Sequence, residues 1–332
     1  MQDNLEEIIR DALVVNKDNL IKNIKLIIPS IHKAIDASKE DILNANKIDI
    51  KNKNGFKIDF EVINNIFNNL EKEDTYYGDV KLSQRDKDKK ITYGIQVMDQ
   101  GNVVVIDEGN TYVLIEMAIR NIIAGNTTIY SNRGYMFGTN NLLIQIIQSV
   151  LEKLNLDKNM IQIYITEEFD KLLSNFANID LVVCIGNHTL QNEIISKSKN
   201  KTIFSGFDNY EIYIEDTNHL DFLNKVINTG VDIQLYINED TNLDEADAIL
   251  VSDIEEAIAR INYEGSRCAS AIFTSDTNNA SKFIKEIKSN IVTVNTSPTI
   301  ERVLDIKQKD LVNEKTIIYP FGFKITEEIN NK

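Results

Sequence analysis

Cysteine is almost missing from this chain: there are two, Cys184 and Cys268, far apart in sequence. No disulfide framework is expected from such a pair, and the chain reads as cytoplasmic and reduced. Proline, at 3, and glycine, at 13, are sparse, and no fixed-period repeat or low-complexity tract occurs, so collagen-like and linker-like chains fall away. No apolar run approaches the ~20 residues that a membrane helix needs. The opening "MQDNLEEIIRDALVV" has acids where a secretory signal has bases, and it is not read as one. Basic residues are the minority, 36 against 51 acidic ones, for a formal charge of −15. A phosphate backbone would meet net repulsion, which argues against nucleic acid as a partner. The basic cluster "RDKDKK" at 85–90 is interleaved with Asp86 and Asp88 and reads as a solvated loop.

What is present is apolar content, 42% of 332 residues, enough for two domains or one large α/β unit with an appendage. Leu5, Ile8, Ile9 and Ala12, then Leu20, Ile24, Ile27 and Ile28, recur at helical spacing. Pro29-Ser30 is expected to break that run before a second amphipathic stretch through Ile42 and Leu43. "ITYGIQVM" and "NVVVID" read as strands. Helices near 112–124, 139–154, 167–176 and 190–199 then alternate with the strands "TTIYS", "MIQIYI", "IDLVVCIG" and "KTIF". This pattern predicts a parallel, doubly wound, Rossmann-like sheet. A second alternation starts at "YEIYIED" and runs through a helix at 219–228, "IQLYI", "ADAILV", "DIEEAIARINYEG", "ASAIFT", "NNASKFIKEIK" and "NIVTVNT" as a smaller α/β domain. The last strand, "KTIIYPFGF" at 315–323, contains Pro320 and reads as an edge or arm strand.

Candidate chemistry is thin. His32, His188 and His219 have no other ligand at metal spacing, so no metal site is expected. Neither a G-x-S-x-G elbow nor a G-x-G-x-x-G or P-loop fingerprint occurs. Two strand-to-helix turns, "SNRGYMFGTNN" and "GNHTLQN", could offer backbone N–H groups to an anion. Their candidate cofactor-binding residues are Ser131, Asn132, Arg133, Gly134, Gly186 and Asn187. The competing reading of both is a turn with an ordinary helix cap. Cys184 sits in an apolar strand, while Cys268 is expected in a loop beside Arg267 and is the weak candidate for a nucleophile. Asp253, Glu255 and Glu256 read as a helix cap and first turn.

Three segments, "ASKEDILNANKIDI", "DEGNTYVLIEMAIRNIIAGNTTIYSNRG" and "ADAILVSDIEEAIARINYEGSRCASAIFTSDTNNASKFIKEIKSNIVTVNTS", resemble the gamma-glutamyl phosphate reductases, or glutamate-5-semialdehyde dehydrogenases, of the aldehyde dehydrogenase superfamily. The resemblance implies an aldehyde-dehydrogenase-like α/β fold. Residues 1–207 would form the N-terminal helices and a Rossmann-like domain, completed by an arm and tail at 300–332, and residues 208–299 a reduced catalytic-type domain. The arm, from "KKITYGIQVM" and "KTIIYPFGF", would join a homodimer.

The family chemistry implied is thiolate attack on an acyl carbon, hydride from NADPH and oxyanion donors. The family's cysteine is expected near "INTGVDIQLYI" at 227–237, which has none. Its oxyanion asparagine aligns without gaps on Tyr112, with Asn110 two positions away as a weak candidate. Its R-G-G aligns on Ser131-Asn132-Arg133, and its later Gly-rich loop is missing after "VNTS". The leading expectation is therefore a non-catalytic relative, a pseudoenzyme that binds a partner protein or small ligand. The alternative is an NADP-dependent oxidoreductase of the glutamate-5-semialdehyde dehydrogenase type with an altered site, and a third reading keeps nucleotide binding without turnover.

Overall fold

The computed structural model describes residues 4–88, 90–206, 209–216, 218, 232–241, 248–265, 267–296, 304 and 306–320. By contact density the chain forms two compact units, one of residues 1–183, 197–202 and 306–332, the other of residues 184–196 and 203–305. Sequence patterning set the boundary at 207/208, whereas contacts group 184–196 and 203–207 with the second unit.

The first unit opens with helices α1 (Leu5–Leu13), α2 (Leu20–Ala37), α3 (Lys39–Lys51) and α4 (Phe60–Leu70). Pro29 does not end α2, contrary to the sequence expectation; the helix runs on to Ala37. A mid-helix proline costs about 3 kcal/mol. Burial of Ile24, Ile27, Ile28, Ile31 and Ile35 along one stripe offsets it, since each buried isoleucine contributes roughly 1.5–3 kcal/mol.

The arm is a three-stranded antiparallel sheet of order β1-β2-β13, with β1 Val80–Asp86, β2 Ile91–Asp99 and β13 Val312–Pro320. The strand expected around Lys315 thus pairs with the "ITYGIQVM" strand and lies at the edge. Pro320 closes its register opposite Ile91. The "RDKDKK" stretch supplies the end of β1 and the hairpin turn, and Lys89, with residues 321–323 of the last strand, lies outside the described residues.

The alternation that follows is β3 (Asn102–Asp107), α5 (Thr111–Ile123), β4 (Thr127–Asn132), α6 (Phe137–Lys153), β5 (Ile161–Ile165), α7 (Asp170–Leu173), β6 (Leu181–Ile185), α8 (His188–Lys197) and β7 (Thr202–Ser205). These strands form a sheet of order β5-β4-β3-β6-β7, in which β3, β4 and β5 are parallel. Every residue of α5 is buried, and its two charged side chains are paired there: Arg120 bonds Glu116 (2.8 Å) on the same helix and Glu73 (2.5 Å).

The second sheet has order β10-β9-β8-β11-β12, parallel throughout. Its strands are β8 (Asn209–Ile214), β9 (Asp232–Asn238), β10 (Ile249–Val251), β11 (Ala269–Phe273) and β12 (Ile291–Val294). Helices α9 (Ile254–Glu264) and α10 (Thr277–Glu286) accompany it. Tyr213, Tyr236, Ile258, Ile261, Ile272 and Phe283 build its larger core. The helix expected at 219–228 lies outside the described residues.

Candidate functional site

In an α/β sheet, ligands gather at the carboxyl ends of the strands. At the end of β3 in the first unit, Asp107 is 2% exposed. Its carboxylate accepts hydrogen bonds from the Tyr130 hydroxyl (2.5 Å), from the Gly109 N–H (2.8 Å) and from the Asn110 N–H (2.9 Å). Burial pushes its carboxyl up to about 7 against the lowering effect of these donors, and the like charge of Glu108 adds to the rise. Burial, followed by the Asp107 charge, pushes the Tyr130 phenol well above its ordinary range.

Gly109 has φ +92°, and a Cβ there would lie 2.5 Å from the Tyr135 carbonyl oxygen, so only glycine fits this turn. Asn110 caps α5: its side-chain oxygen accepts from the Tyr112 N–H at 2.9 Å. Tyr112, at the position read as the family's oxyanion asparagine, is 3% exposed. Its hydroxyl accepts from the Asp59 N–H at 2.7 Å, at the start of α4. The phenol is committed to joining two helix starts.

The β4–α6 turn is closed in a similar way. Ser131 is fully buried and donates to the Tyr164 carbonyl (2.7 Å). Asn132, also fully buried, accepts from the Gly134 N–H (2.6 Å). Its side-chain nitrogen has no partner within hydrogen-bond geometry, although it lies near enough to act on the Tyr130 phenol; the interaction is a weak polar contact. Arg133 is exposed, donates to the Glu167 carbonyl (3.2 Å) and lies over the Phe169 ring at 5.0 Å. Gly134 accepts from the Asn54 side chain at 2.7 Å, and the Asn54 carbonyl takes the Met136 N–H at 3.0 Å.

The start of α6, where an anion would be held, carries Asp49 of α3. That carboxylate accepts from the Gly138 N–H (3.1 Å), the Thr139 N–H (2.8 Å) and the Thr139 hydroxyl (2.7 Å). A dinucleotide phosphate does not fit there, because the donors are used and a like charge faces it. No local Asn or Thr caps α6: its N-cap residue, Met136, makes no side-chain cap bond, and the remote Asp49 fills that role. In the second unit, the Gly186 N–H donates to the Ser205 carbonyl (3.0 Å), and Asn187 caps α8 by accepting from the Leu190 N–H (3.0 Å).

Neither cysteine lies open. Cys184 is fully buried in β6. Cys268 is 8% exposed and packs with Tyr210 and Ala269 at the start of β11 rather than in an open loop. Residues 232–237 of the stretch expected to carry a nucleophile belong to β9, paired in parallel with β8 and β10. Residues 227–231 lie outside the described residues. Asp253 caps α9 as expected, accepting from the Glu256 N–H at 2.8 Å. Among the described residues no group of three or more His, Cys, Asp or Glu is placed to hold a metal, and no helix is long and apolar enough to cross a membrane.

Sequence reasoning missed Asp49, Asp107 and Tyr130. A signal existed for the first: Asn46 and Asp49 share the phase of buried Ile42 on α3, so polar groups sit on its inner stripe. Asp107 ends an apolar run, which by itself does not distinguish a buried acid from a loop residue.

Two parallel-stranded sheets with flanking helices and a separate antiparallel arm place the chain in the aldehyde dehydrogenase fold. Within that fold, its sequence is similar to those of gamma-glutamyl phosphate reductases. Residues 247–305 match the Aldehyde dehydrogenase family. The chain is 24% identical over 259 residues to the gamma-glutamyl phosphate reductase of Petrotoga mobilis, covering 61% of this chain and 62% of that protein, less than two thirds of its length. The corresponding protein of Clostridium perfringens is 23% identical over 344 residues, 85% of this chain and 82% of its own. The crystal structure of gamma-glutamyl phosphate reductase from Thermotoga maritima superposes with a TM-score of 0.64 at 16% identity, over 96% of this chain and 98% of that one. A glyceraldehyde-3-phosphate dehydrogenase from Methanocaldococcus jannaschii, complexed with NADP, superposes at 0.69 with 15% identity, over 96% and 94% of the two chains.

Proposed function

We propose that this chain keeps the aldehyde dehydrogenase fold without its reaction, and acts by holding a partner protein or a small ligand, as a homodimer joined through the arm. The observation that carries this reading is the state of the thiols. Acyl transfer in such an enzyme needs a thiolate that meets the substrate. Both cysteines of this chain are buried in cores, and residues 232–237 of the stretch where a nucleophile is expected lie in strand β9. The oxyanion position gives the same answer, since Tyr112 and Asn110 spend their polar groups on helix starts. NADP has no part in this reading, because the donors at the start of α6 are committed to Asp49. The dimer rests on the arm, whose edge strand leaves Ile318 63% exposed.

Alkylation of the native protein tests the thiols directly. Iodoacetamide below pH 8 is expected to label neither cysteine until urea is added. Rapid labelling of Cys268 in the folded protein, faster than that of a small free thiol, would restore the altered-site oxidoreductase.

A further inference from the structure

We propose that the β3–α5 turn is a proton-sensitive clasp: with Asp107 ionised, one carboxylate fastens the Gly109 and Asn110 amides and the Tyr130 hydroxyl, and protonation loosens the Asn110 bond. The geometry divides the two oxygens. Oδ1 accepts from both the Tyr130 hydroxyl and the Gly109 N–H, and Oδ2 accepts from the Asn110 N–H alone. Oδ2 therefore has the open lone pair, and a proton there converts it to a hydroxyl, a weaker acceptor that must itself donate. Neither side chain of the pair is solvated directly, since Asp107 is 2% and Tyr130 1% exposed.

The charged and titratable groups acting on the carboxyl are the Tyr130 phenol from β4 and Glu108 from the turn itself. From α6 comes a neutral group, the Asn140 amide, which donates to the Gly109 carbonyl at 3.0 Å and accepts from the Thr111 hydroxyl at 2.8 Å. The turn is thus tied to the first turns of both α5 and α6. Burial sets the carboxyl near 7, so the change falls close to neutrality. The clasp does not depend on whether the chain is catalytic.

The test is an NMR titration of full-length protein labelled with 15N-glycine and 13C-carbonyl glutamate. Such labelling isolates two amides, because Glu-Gly occurs at Glu108-Gly109 and at Glu264-Gly265. Gly109 should shift with a single midpoint between pH 6 and 8, and Gly265 should not follow it. Asp107→Asn should abolish the transition. Should that variant fail to fold, Tyr130→Phe removes one donor to the carboxylate and should move the midpoint upward. A Gly109 amide that stays still between pH 5 and 9, or a midpoint that Tyr130→Phe leaves in place, would overturn the clasp.

Discussion

At the carboxyl ends of β3 and β4 the polar side chains are buried and bonded to the protein: Asp107 is 2% exposed, and Ser131 and Asn132 are fully buried. At the carboxyl ends of β8 and β11, in the other unit, polar groups also bond to one another, but only Thr274 is buried; Glu215 and Asp216 are half-buried. Glu215 accepts from the Thr274 hydroxyl and from the Asn279 side chain, Asp216 accepts from the Ser275 N–H, and Ser275 and Asp276 are exposed. Strand ends are where α/β folds place ligands. The first sheet has turned that position into internal structure, and the second leaves it half open to water. The same local device, a side chain closing a turn, therefore holds a core in one unit and trims a surface in the other.

The comparison predicts a graded response to truncation. Asp49→Ala strips three hydrogen bonds from a buried helix start, and charged bonds of this kind are worth 1.5–3 kcal/mol each before relaxation. A loss of about 3 kcal/mol is expected in urea denaturation; a loss below about 1 kcal/mol would mean that water replaces the carboxylate and that the α6 start is open after all.

Asp107→Asn gives the next effect, and a pH-dependent one. With the carboxyl pushed up to about 7 from its ordinary 3.8, the folded protein keeps a proton that the unfolded chain has released. Stability from this group is whole below about pH 4 and is lost as the pH climbs to about 7. The amide never ionises and escapes that loss. Relative to wild type, the variant should gain roughly 2 to 3 kcal/mol between pH 5 and pH 8; a constant difference across that range would place the Asp107 titration elsewhere.

The smallest effect belongs to the open sheet. Asp276 caps α10 by accepting from the Asn278 and Asn279 N–H groups at 2.7 and 3.3 Å, and it is exposed. Asp276→Ala should cost about 1 kcal/mol, the usual worth of a cap. A cost matching that of Asp49→Ala would erase the distinction between the two sheets.

Much of this was legible from spacing. Strand–helix alternation located both sheets, and Pro320 marked the edge of the arm. Both signals are local and need no partner to interpret. Pro29 misled because a proline's cost is local while the isoleucine stripe that outweighs it depends on what α2 packs against. The closing of the first site was illegible for the same reason. Asp49 reaches Thr139 across 90 residues, and Tyr112 reaches Asp59 across 53. Asn110 and Asn132, singled out as possible ligand contacts, are the type of residue that closes turns. Sequence supplied their chemistry but not the direction in which it is spent.

The central claim is a retained fold without its reaction, and turnover tests it most directly. Purified protein would be followed at the NADPH absorbance band, with NADPH plus an acyl phosphate in one direction and NADP plus an aldehyde in the other, against a gamma-glutamyl phosphate reductase as positive control. The account predicts no change above the protein-free rate in either direction. Protein-dependent turnover that disappears in Cys268→Ser would contradict it and return the nucleophile to the chain.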